Sequence, residues 1–216
     1  MILADPKTRE EWLQCRNHGI GGSDAACIVG ANPWKSARQL WKEKRGVAVP
    51  HDLSDNPAVM FGKQAEEHVR ELFLLTYPRY RCDYHEFRLY ANDRLPWLYA
   101  TLDGELTDEE GRRGILEIKT TTIQRSSQWD EWDGCVPQHY YIQLLHQLLA
   151  CSWAEYSILY AHIRYTKGDE IRATMRRFCM ERADVLVDLE ELKARETEFW
   201  QNVQDGTEPP YILPEI

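Results

Sequence analysis

The sequence lacks several patterns that would assign it to other classes of protein. No uninterrupted apolar run approaches the roughly 18 residues that mark a membrane-spanning helix. The first segment, MILADPKTREEW, has no basic stretch followed by an apolar one, so we expect no secretory leader and a cytoplasmic location. The 6 cysteines are scattered and form no CxxC pair, which argues against zinc and iron–sulfur motifs. We therefore expect reduced cysteines and no membrane partner.

An excess of positive charge is also missing. The chain has 26 Lys and Arg against 35 Asp and Glu, which gives a formal net charge of −9. A protein that coats nucleic acid through bulk attraction to the phosphates needs charge of the opposite sign. Any contact with DNA must therefore be local. We expect such a contact to use a small basic group: Lys35, Arg38, Lys42, Lys44 and Arg45.

The 216 residues suit a single domain, residues 1–216, with one sizeable core. Caps and apolar spacing predict a helical N-terminal part, a helix from Pro57 to about Tyr77, another that opens at Pro137, and a long C-terminal helix that ends at Gly206. Alternation predicts strands at 80–90, 97–107, 115–120, 156–165 and 170–178. The Pro-rich tail, GTEPPYILPEI, is predicted to be extended. This mixture predicts an α/β fold.

Residues 97–122, WLYATLDGELTDEEGRRGILEIKTTT, combine strand patterns with acidic side chains. Glu117 and Lys119 fall on the same face of one strand, because successive side chains alternate between faces. Asp103 is expected at a turn marked by Gly104, from which its side chain can meet Glu117 across the ladder. The spacing thus predicts two carboxylates and an ammonium group at one place.

Two carboxylates beside a lysine are poorly suited to stabilising a fold and well suited to catalysing hydrolysis. The carboxylates would bind a hard divalent cation such as Mg²⁺, which favours phosphate-bearing substrates. Lys119 would hold the attacking water or offset charge that develops on the phosphate. The alternative is an edge strand with a solvated Glu and Lys. The apolar neighbours Ile115, Leu116 and Ile118 disfavour that alternative.

A glycine-rich segment, GIGGSDAACIVGANPW, contains a second candidate site. Ser23 is the expected N-cap of a short helix whose free N–H groups would bind an anion. Arg16 would add a forked donor to the same anion. The alternative is that Ser23 is only a helix cap and that Arg16 is a solvated charge.

Two helices carry further polar candidates. Glu66 lies beside the apolar stripe of the helix that starts at Pro57, so it either points at the carboxylate cluster or pairs with Arg70 one turn later. The helix PQHYYIQLLHQLLACSW has a polar stripe beside its apolar one, formed by Tyr140, Gln143 and Gln147.

The order of these motifs resembles the YqaJ-like viral recombinase family, a lambda-exonuclease-like group within the PD-(D/E)XK nuclease superfamily. Four motifs carry the resemblance: GIGGSDAACIVGANPW, GKQAE at 62–66, the hairpin with Asp103 and Glu117-Ile118-Lys119, and YYIQLLHQLL at 140–149. Each motif alone is weak, whereas four in the same order are specific. Leu102 replaces the Pro of the superfamily's nominal pattern, a frequent departure. The resemblance implies a restriction-endonuclease-like core, with a central mixed sheet flanked by helices.

The resemblance also implies a role for each candidate residue. The implied catalytic residues are Asp103, Glu117, Lys119, Tyr140 and Gln143. The implied metal ligands are Glu66, Asp103, Glu117 and the backbone carbonyl of Ile118, around two Mg²⁺ ions for which Mn²⁺ can substitute. Arg16 and Ser23 correspond to the pocket that such enzymes use for the 5′-phosphate of DNA.

The family's activity implies a Mg²⁺-dependent 5′→3′ exonuclease that digests one strand of linear double-stranded DNA and leaves 3′ single strands for recombination. The implied partners are double-stranded DNA ends, a single-strand annealing protein and further copies of the chain in a ring-shaped homotrimer. The implied setting is a phage or prophage protein in the bacterial cytoplasm. A ring retains DNA by enclosing it, which suits an acidic chain.

Two alternatives to this activity stay open from the sequence. One is an endonuclease of the same superfamily, or an exonuclease with a different end preference. The other is a non-catalytic module that binds DNA ends. Intact Asp103, Glu117 and Lys119 disfavour the second alternative, because a retired site has no physical reason to keep a cluster of like charges.

Overall fold

The structure is a computed structural model that describes residues 1–211. The α-helices are α1 (Arg9–Arg16), α2 (Gly22–Ile28), α3 (Ala37–Lys44), α4 (Pro57–Thr76), α5 (Gln138–Ala150) and α6 (Leu186–Asp205). The predicted helix starts at Pro57 and Pro137 are confirmed, and Gly206 ends α6 in a left-handed conformation with φ 76°. Within residues 1–211, no helix is long and apolar enough to cross a membrane.

The strands form two sheets. They are β1 (Ile2–Ala4), β2 (Arg81–Asp83), β3 (Leu89–Ala91), β4 (Tyr99–Ala100), β5 (Gly104–Thr107), β6 (Arg113–Ile123), β7 (Tyr156–Lys167) and β8 (Glu170–Glu181). The larger sheet has the order β2-β5-β6-β7-β8, in which β6 and β7 are parallel and the other neighbours are antiparallel. The smaller sheet has the order β1-β3-β4. A parallel pair needs a crossover connection, which α5 supplies between β6 and β7.

Helices cover both faces of the larger sheet. Phe73 of α4 packs with Leu116 of β6 on one face. On the opposite face, Leu145 and Leu148 of α5 pack with Ile115 of β6, and α6 packs against α5. Each fully buried side chain of this size stabilises the fold by about 1.5–3 kcal/mol relative to an exposed one. The prediction of a mixed sheet flanked by helices is confirmed.

Two of the predicted strands are not continuous. Residues 80–90 contain β2 and β3, and residues 97–107 contain β4 and β5, so each stretch passes from one sheet to the other. Alternation indicates which side chains face a core, but it does not indicate which sheet a strand joins. Gly104 is also not in a turn, since it starts β5 opposite Leu116. A Cβ at Gly104 would lie 2.4 Å from Cys82 Sγ, so close packing explains this glycine.

The central strand β6 is longer than its neighbour β5. The two strands pair only from Arg113 to Leu116, whereas β7 pairs with β6 as far as Ile123. From Glu117 onward, one edge of β6 has no strand partner within the described part of the chain. The N–H and C=O of one residue point to the same edge of a strand, and the groups of Ile118 and Thr120 point to this open edge. The open edge of β6 is where the candidate site lies.

Most of the basic group expected to contact DNA is engaged within the protein. Lys44 Nζ lies 2.8 Å from the buried carboxylate of Asp24. The other internal partners are the Glu43 carboxylate for Lys35, the Pro209 carbonyl for Arg38 and the Val203 carbonyl for Arg45. These side chains hold α2, α3, α6 and the tail together. A DNA-contacting group in this segment is therefore not supported, although Lys42 is exposed.

The expected N-cap role of Ser23 is wrong. Helix α2 begins at Gly22 after the cap residue Gly21, whose N–H donates to Asp24 Oδ2 at 3.1 Å. Burial alone would raise the pKa of Asp24, but the charges of Lys44 and Arg16 outweigh it and hold the pKa below its usual value. The ionised Asp24 is thus the stronger acceptor, and the Ser23 side chain stays exposed for other contacts.

A buried polar pair fastens α6 to α5. His146 and Glu196 are fully buried, with 2.6 Å between His146 Nδ1 and Glu196 Oε1, and His146 Nε2 donates to the Tyr99 carbonyl at 2.9 Å. Burial alone would lower the pKa of His146, but Glu196 and the Tyr99 carbonyl raise it above its usual value. Beyond α6, residues 207–211 have no helix or strand, as predicted, and Arg38 stacks on the Tyr211 ring. The rest of the predicted extended tail, 212–216, lies outside the described residues.

Replacement of Gly114 by Ala is expected to destabilise the sheet. A Cβ at this position would lie 2.2 Å from the buried ring of Tyr156, and paired backbone on both sides of Gly114 leaves little room to adjust. The expected loss in the free energy of unfolding is about 1–3 kcal/mol, as for other overpacked cores. A fall in the urea concentration at the midpoint of unfolding measures it. Gly104→Ala is the matched comparison. Its closest contact is the single Cys82 Sγ atom, which yields more easily than a buried ring, so we expect a smaller loss there; equal losses for both variants would contradict this explanation.

Candidate active site

Glu117 is the most firmly held carboxylate of the site. It is 3% exposed and lies on the face of β6 that α5 covers. Gln143 Nε2 donates to its Oε1 and Gln147 Nε2 donates to its Oε2, each at 2.5 Å. Lys119 Nζ, two residues along the same face, also donates to Oε1 at 2.5 Å. A buried carboxylate needs such donors, because an unpaired buried charge is strongly unfavourable. The structure therefore brings Glu117, Lys119 and Gln143 together.

Asp103 lies at the open edge of β6, directly before β5 begins. Its Oδ2 accepts a hydrogen bond from the Ile118 N–H at 2.7 Å, in the place that a longer β5 would occupy. The Ile118 carbonyl points to the same edge and is thus adjacent to Asp103. Arg70 Nη1 of α4 donates to the Asp103 carbonyl at 2.6 Å and fixes this part of the chain. Asp103, Ile118 and Glu117 are therefore neighbours, as predicted from the spacing.

The sequence left two alternatives for Glu66 of α4, the carboxylate cluster or Arg70, and the structure shows both. Glu66 Oε1 lies 3.4 Å from Arg70 Nη1, which is the pair expected one turn apart. Burial raises the pKa of Glu66 above its usual value; Arg70 opposes this effect and the charge of Glu117 adds to it. Glu66 thus faces the carboxylate cluster while it contacts Arg70.

Burial and like charges control the electrostatics of the cluster. The pKa of Asp103 lies well above its usual value, first because burial disfavours the carboxylate and then because Glu117 and Glu66 repel it. Burial would lower the pKa of Lys119, but the charges of Glu117 and Asp103 raise it above the usual value of lysine. Lys119 is therefore an ammonium group at neutral pH and acts as a hydrogen-bond donor.

Tyr140 of α5 forms one wall beside Lys119. The Lys119 ammonium lies 5.2 Å from the centre of the Tyr140 ring, a distance at which cations are attracted to the face of an aromatic ring. Burial raises the pKa of Tyr140, and the phenol stays protonated at neutral pH. Tyr140 therefore helps to position Lys119 rather than to supply a charge.

The donor set has the chemistry of a site for a hard divalent cation. Glu66, Asp103 and Glu117 supply carboxylate oxygens and Ile118 supplies a carbonyl, which are the ligand types that Mg²⁺ prefers. A bound cation would offset the repulsion that raises the pKa of Asp103. Within residues 1–211, no three His, Cys, Asp or Glu side chains are already gathered closely enough to hold a metal ion. Binding of a cation therefore requires the carboxylates to move closer, with Glu117 giving up part of its present hydrogen bonding.

Arg16 and Ser23 form a second polar pair. Arg16 Nη2 donates to Ser23 Oγ at 3.3 Å, and the guanidinium carbon lies 4.4 Å from the centre of the Trp12 ring. The Arg16 carbonyl accepts hydrogen bonds from Tyr99 Oη at 2.6 Å and from Lys44 Nζ at 3.3 Å, which fixes the end of α1. Arg16 is thus a positioned group beside an exposed hydroxyl, and the alternative of a freely solvated charge does not fit.

Gln143 connects the Arg16–Ser23 pair with the carboxylate cluster. A Cβ on Gly22, at the start of α2, would lie 3.2 Å from Gln143 Cγ, so the backbone beside Ser23 is in contact with Gln143. Gln143 in turn donates to Glu117. The Arg16–Ser23 pair therefore adjoins the carboxylate cluster at the open edge of β6.

A cleft of about 600 Å³ runs from the cluster along the open edge of β6. Its floor is the run from Ile118 to Thr122, and Glu66, Lys119 and Tyr140 line the end near the cluster. Helix α4 approaches the floor closely, since a Cβ on Gly62 would lie 3.1 Å from Thr120 Oγ1. The other lining residues are Trp34, Ala58, Val59, Gln124, Gln128 and Arg164.

Two residues contribute more to the site than their sequence positions predict. Gln147 holds the second oxygen of Glu117, and its spacing of four residues from Gln143 on one helix face was a signal for this role. Arg70 fixes both Glu66 and the backbone of Asp103. No local pattern indicates the second of these contacts, since 33 residues separate the two partners.

Comparison with known proteins identifies the family. Residues 11–155 match the family described as the YqaJ-like viral recombinase domain. The chain belongs to this YqaJ-like family. The matched segment contains Arg16, Glu66, Asp103, Glu117 and Gln143. The uncharacterized protein YqaJ of Bacillus subtilis (strain 168) is 31% identical over 208 residues, which cover 95% of this chain and 59% of that protein. The chain thus spans about three-fifths of the length of this relative.

Solved structures share the fold at low sequence identity. An alkaline exonuclease (LHK-Exo) from Laribacter hongkongensis is 18% identical, with a TM-score of 0.66 over 92% of this chain and 94% of that chain. The structure of LHK-Exo in complex with dAMP has a TM-score of 0.65 and the same coverage. The predicted restriction-endonuclease-like core, a mixed sheet flanked by helices, is confirmed by this likeness.

Asp103→Asn is expected to stabilise the protein when divalent cations are removed. The Asn oxygen can still accept from the Ile118 N–H, while the repulsion from Glu117 and Glu66 is lost. A carboxyl with a raised pKa in the folded protein contributes stability that is present at low pH and is lost as the pH rises through that pKa. The gain should therefore be absent below about pH 4 and reach at least about 1 kcal/mol at pH 8.

Urea unfolding in chelator at both pH values measures this gain. Glu105→Gln is the control on β5, because Glu105 lies outside the cluster and its pair with Arg113 at 2.7 Å offsets the charge of Asp83 on the opposite strand. The control should show no gain at pH 8. An equal gain of the Asp103 variant at both pH values would contradict the electrostatic explanation.

Proposed function

We propose that the protein is a Mg²⁺-dependent 5′→3′ exonuclease that digests one strand of linear double-stranded DNA and leaves 3′ single strands for recombination by strand annealing. The observation that carries the proposal is the adjacency of the Arg16–Ser23 pair to the cluster of Asp103, Glu117 and Lys119: Gly22, next to Ser23, packs against Gln143, and Gln143 donates to Glu117. A phosphate bound at the pair lies next to the cluster, as removal of a terminal nucleotide requires. Membership of the family and the shared fold of an alkaline exonuclease support a nuclease.

Each side chain of the cluster has a role in phosphodiester hydrolysis. Lys119 donates hydrogen bonds, and its raised pKa keeps it charged, so it holds the attacking water and offsets charge that develops on the phosphate. Gln143 and Gln147 fix the orientation of Glu117 through its two oxygens. Tyr140 limits the movement of Lys119 through contact with its ammonium. These contacts preorganise the site, which is what makes electrostatic stabilisation effective.

Glu66, Asp103, Glu117 and the Ile118 carbonyl would hold the cations, two Mg²⁺ or Mn²⁺ ions by analogy with the family. When bound, such ions lower the pKa of a water and neutralise charge on the attacking and leaving oxygens. Asp103 is aimed at the open edge of β6 by its hydrogen bond to Ile118 N–H, and Arg70 fixes the backbone of Asp103 and contacts Glu66.

The 5′ direction of digestion rests on Arg16 and Ser23. A guanidinium presents a planar fork of donors that matches a phosphate, and stacking on Trp12 holds that plane. The Ser23 hydroxyl is exposed and adds a further donor. A nucleotide whose 5′-phosphate sits here has its 3′ side toward Gln143 and Glu117. The complex of LHK-Exo with dAMP is consistent with a site for a nucleotide monophosphate in this fold.

The charge of the chain supports a ring that encloses the DNA. A net charge of −9 disfavours an open-sided binder that depends on bulk attraction to the phosphates, and Lys35, Arg38, Lys44 and Arg45 are engaged within the protein. Enclosure by a homotrimer would retain the duplex by topology. The same arrangement would release the 3′ strand to a single-strand annealing protein.

Digestion of three DNAs tests the proposed function. With Mg²⁺, we expect the protein to degrade 5′-phosphorylated linear duplex fastest, unphosphorylated linear duplex more slowly and closed circular duplex not at all. Chelator should abolish all digestion. Lys119→Ala should lower the rate by at least about 100-fold, the loss expected for one electrostatic donor, and it controls for contaminating nucleases. End-labelled strands followed over time give the rate and the direction.

Each other outcome points to a different activity. Cleavage of the closed circle would identify an endonuclease. Binding of ends without any digestion would identify a non-catalytic module. Shortening from the 3′ end would overturn the assignment of the Arg16–Ser23 pair.

Arg16→Ala is expected to remove the preference for a 5′-phosphate over a 5′-hydroxyl. Loss of a charge-assisted contact should slow digestion of the phosphorylated end by about 10- to 100-fold and leave the hydroxyl end nearly unchanged. Arg9→Ala on the same helix is the matched control, since Arg9 is exposed and lies outside the pair. Competition between the two ends in one reaction measures the preference. A preference that survives in the Arg16 variant would remove Arg16 from the pocket.

A further inference from the structure

Arg164 has an environment that the proposed function does not use. It lies on β7 opposite Thr122 of β6, on the face of the sheet that α4 covers. Its guanidinium carbon is 3.7 Å from the centre of the Phe61 ring of α4, and it lines the cleft beside the carboxylate cluster. Its Nε is buried and has no hydrogen-bond partner within the described part of the chain. The ring therefore orients the guanidinium without neutralising it.

Among the residues that the structure describes, Arg164 has no carboxylate partner, although it is partly buried. No ion pair within residues 1–211 involves Arg164. Arg172, on the adjacent strand β8, lies 2.9 Å from Glu170 instead. Acidic residues outnumber basic ones by 35 to 26, so a partly buried arginine without a partner is not a consequence of scarce carboxylates. A partly buried cation needs an anion to compensate its desolvation.

Arg164 lies beside Thr122, at the end of the cleft floor that is farthest from Ile118. Ile118 and Thr122 are four residues apart on β6, or about 13 Å at the rise of an extended strand. The backbone groups of Thr120 and Thr122 point to the open edge, and the side chains of Gln124 and Gln128 line the same wall. Hydroxyl, amide and backbone donors beside a planar cation match the oxygens of a phosphodiester.

Arg164 and Arg16 lie on different sides of the cluster. Arg16 contacts Ser23, whose neighbour Gly22 packs against Gln143 on the α5 face of the sheet, whereas Arg164 lies on the α4 face. The open edge of β6 joins the two faces. This inference rests on the proposed function and deepens it. A DNA strand whose terminal phosphate binds at Arg16 would pass the carboxylate cluster and continue along the cleft. We propose that Arg164, with Thr122 and Gln124, binds a backbone phosphate of that DNA strand beyond the bond that is cut.

Equilibrium binding in chelator tests this anchor without need for catalysis. A 5′-phosphorylated duplex with a fluorescent label at the far end is titrated with the full chain at several salt concentrations. Loss of one phosphate contact should make the slope of log affinity against log salt shallower by about 0.9 for Arg164→Gln. Affinity at low salt should fall by roughly 10-fold, as for other charge-assisted contacts. Arg172→Gln is the matched control, and it should leave both quantities unchanged.

Two further measurements separate an anchor from a structural role. Phe61→Leu removes the stacking surface but keeps the charge, so affinity should fall with an unchanged salt slope. This variant also tests the proposal if Arg164→Gln fails to fold, which thermal unfolding would reveal. Where digestion occurs, Arg164→Gln should raise KM for long duplex and leave turnover of a 5′-phosphorylated dinucleotide within about twofold, because the dinucleotide ends before the anchor.

The outcomes also separate this proposal from the proposed function. An unchanged salt slope for a folded Arg164→Gln variant overturns the anchor, whatever the activity of the protein. Equal losses on the dinucleotide and on long duplex overturn it too, because they would place Arg164 in the chemistry itself. A shallower slope in a protein that digests no DNA would support the anchor and overturn the exonuclease.

Discussion

The site depends on one buried carboxylate and on the strand that carries it. Glu117 lies in the centre of the sheet, where donors from its own strand and from α5 contact both of its oxygens. Loss of any one of these donors leaves a buried charge partly unpaired, which is more unfavourable than the pair is favourable. The same hydrogen bonds tie α5 to β6. Stability of the fold and orientation of the candidate catalytic group are therefore linked through Gln143 and Gln147, so substitutions of these glutamines should affect both together.

Because β5 pairs with only the first part of β6, Glu117 lies beside an open strand edge where a ligand can bind. If β5 continued, its backbone would take the Ile118 N–H and carbonyl, and the cleft would be filled. Because β5 begins only at Gly104, Asp103 takes the N–H through its side chain, which brings a second carboxylate to the same edge. The cleft is thus the part of the sheet where backbone groups lack a strand partner. Exposed edges are normally a liability in β-proteins, and here α4 and Trp34 border the edge, leaving room for an extended ligand.

Sequence patterns predicted the chemistry of the site more closely than its scaffold. Alternation placed Glu117 and Lys119 on one face, and helical spacing placed Gln143 beside them, because both depend only on local geometry. Gly104 and Ser23 were assigned wrongly for a common reason. The competing partners, Cys82 for the glycine and Asp24 for the helix cap, act through packing or charge that residue type alone does not rank. Contacts across long separations, such as Arg70 with Asp103, leave no local pattern at all.

An acidic protein can bind a polyanion locally if a few cations escape pairing with its own carboxylates. Lys35 and Lys44 are paired with carboxylates, but Arg16 and Arg164 have no carboxylate partner within residues 1–211 and pack against the rings of Trp12 and Phe61 instead. A ring fixes the plane of a guanidinium and leaves its charge available, whereas a carboxylate would fix the plane and cancel the charge. The two stacked arginines border the carboxylates on different faces of the sheet. Repulsion from the acidic surface would then disfavour DNA away from the path between Arg16 and Arg164. The net negative charge would thus contribute to alignment of the DNA strand.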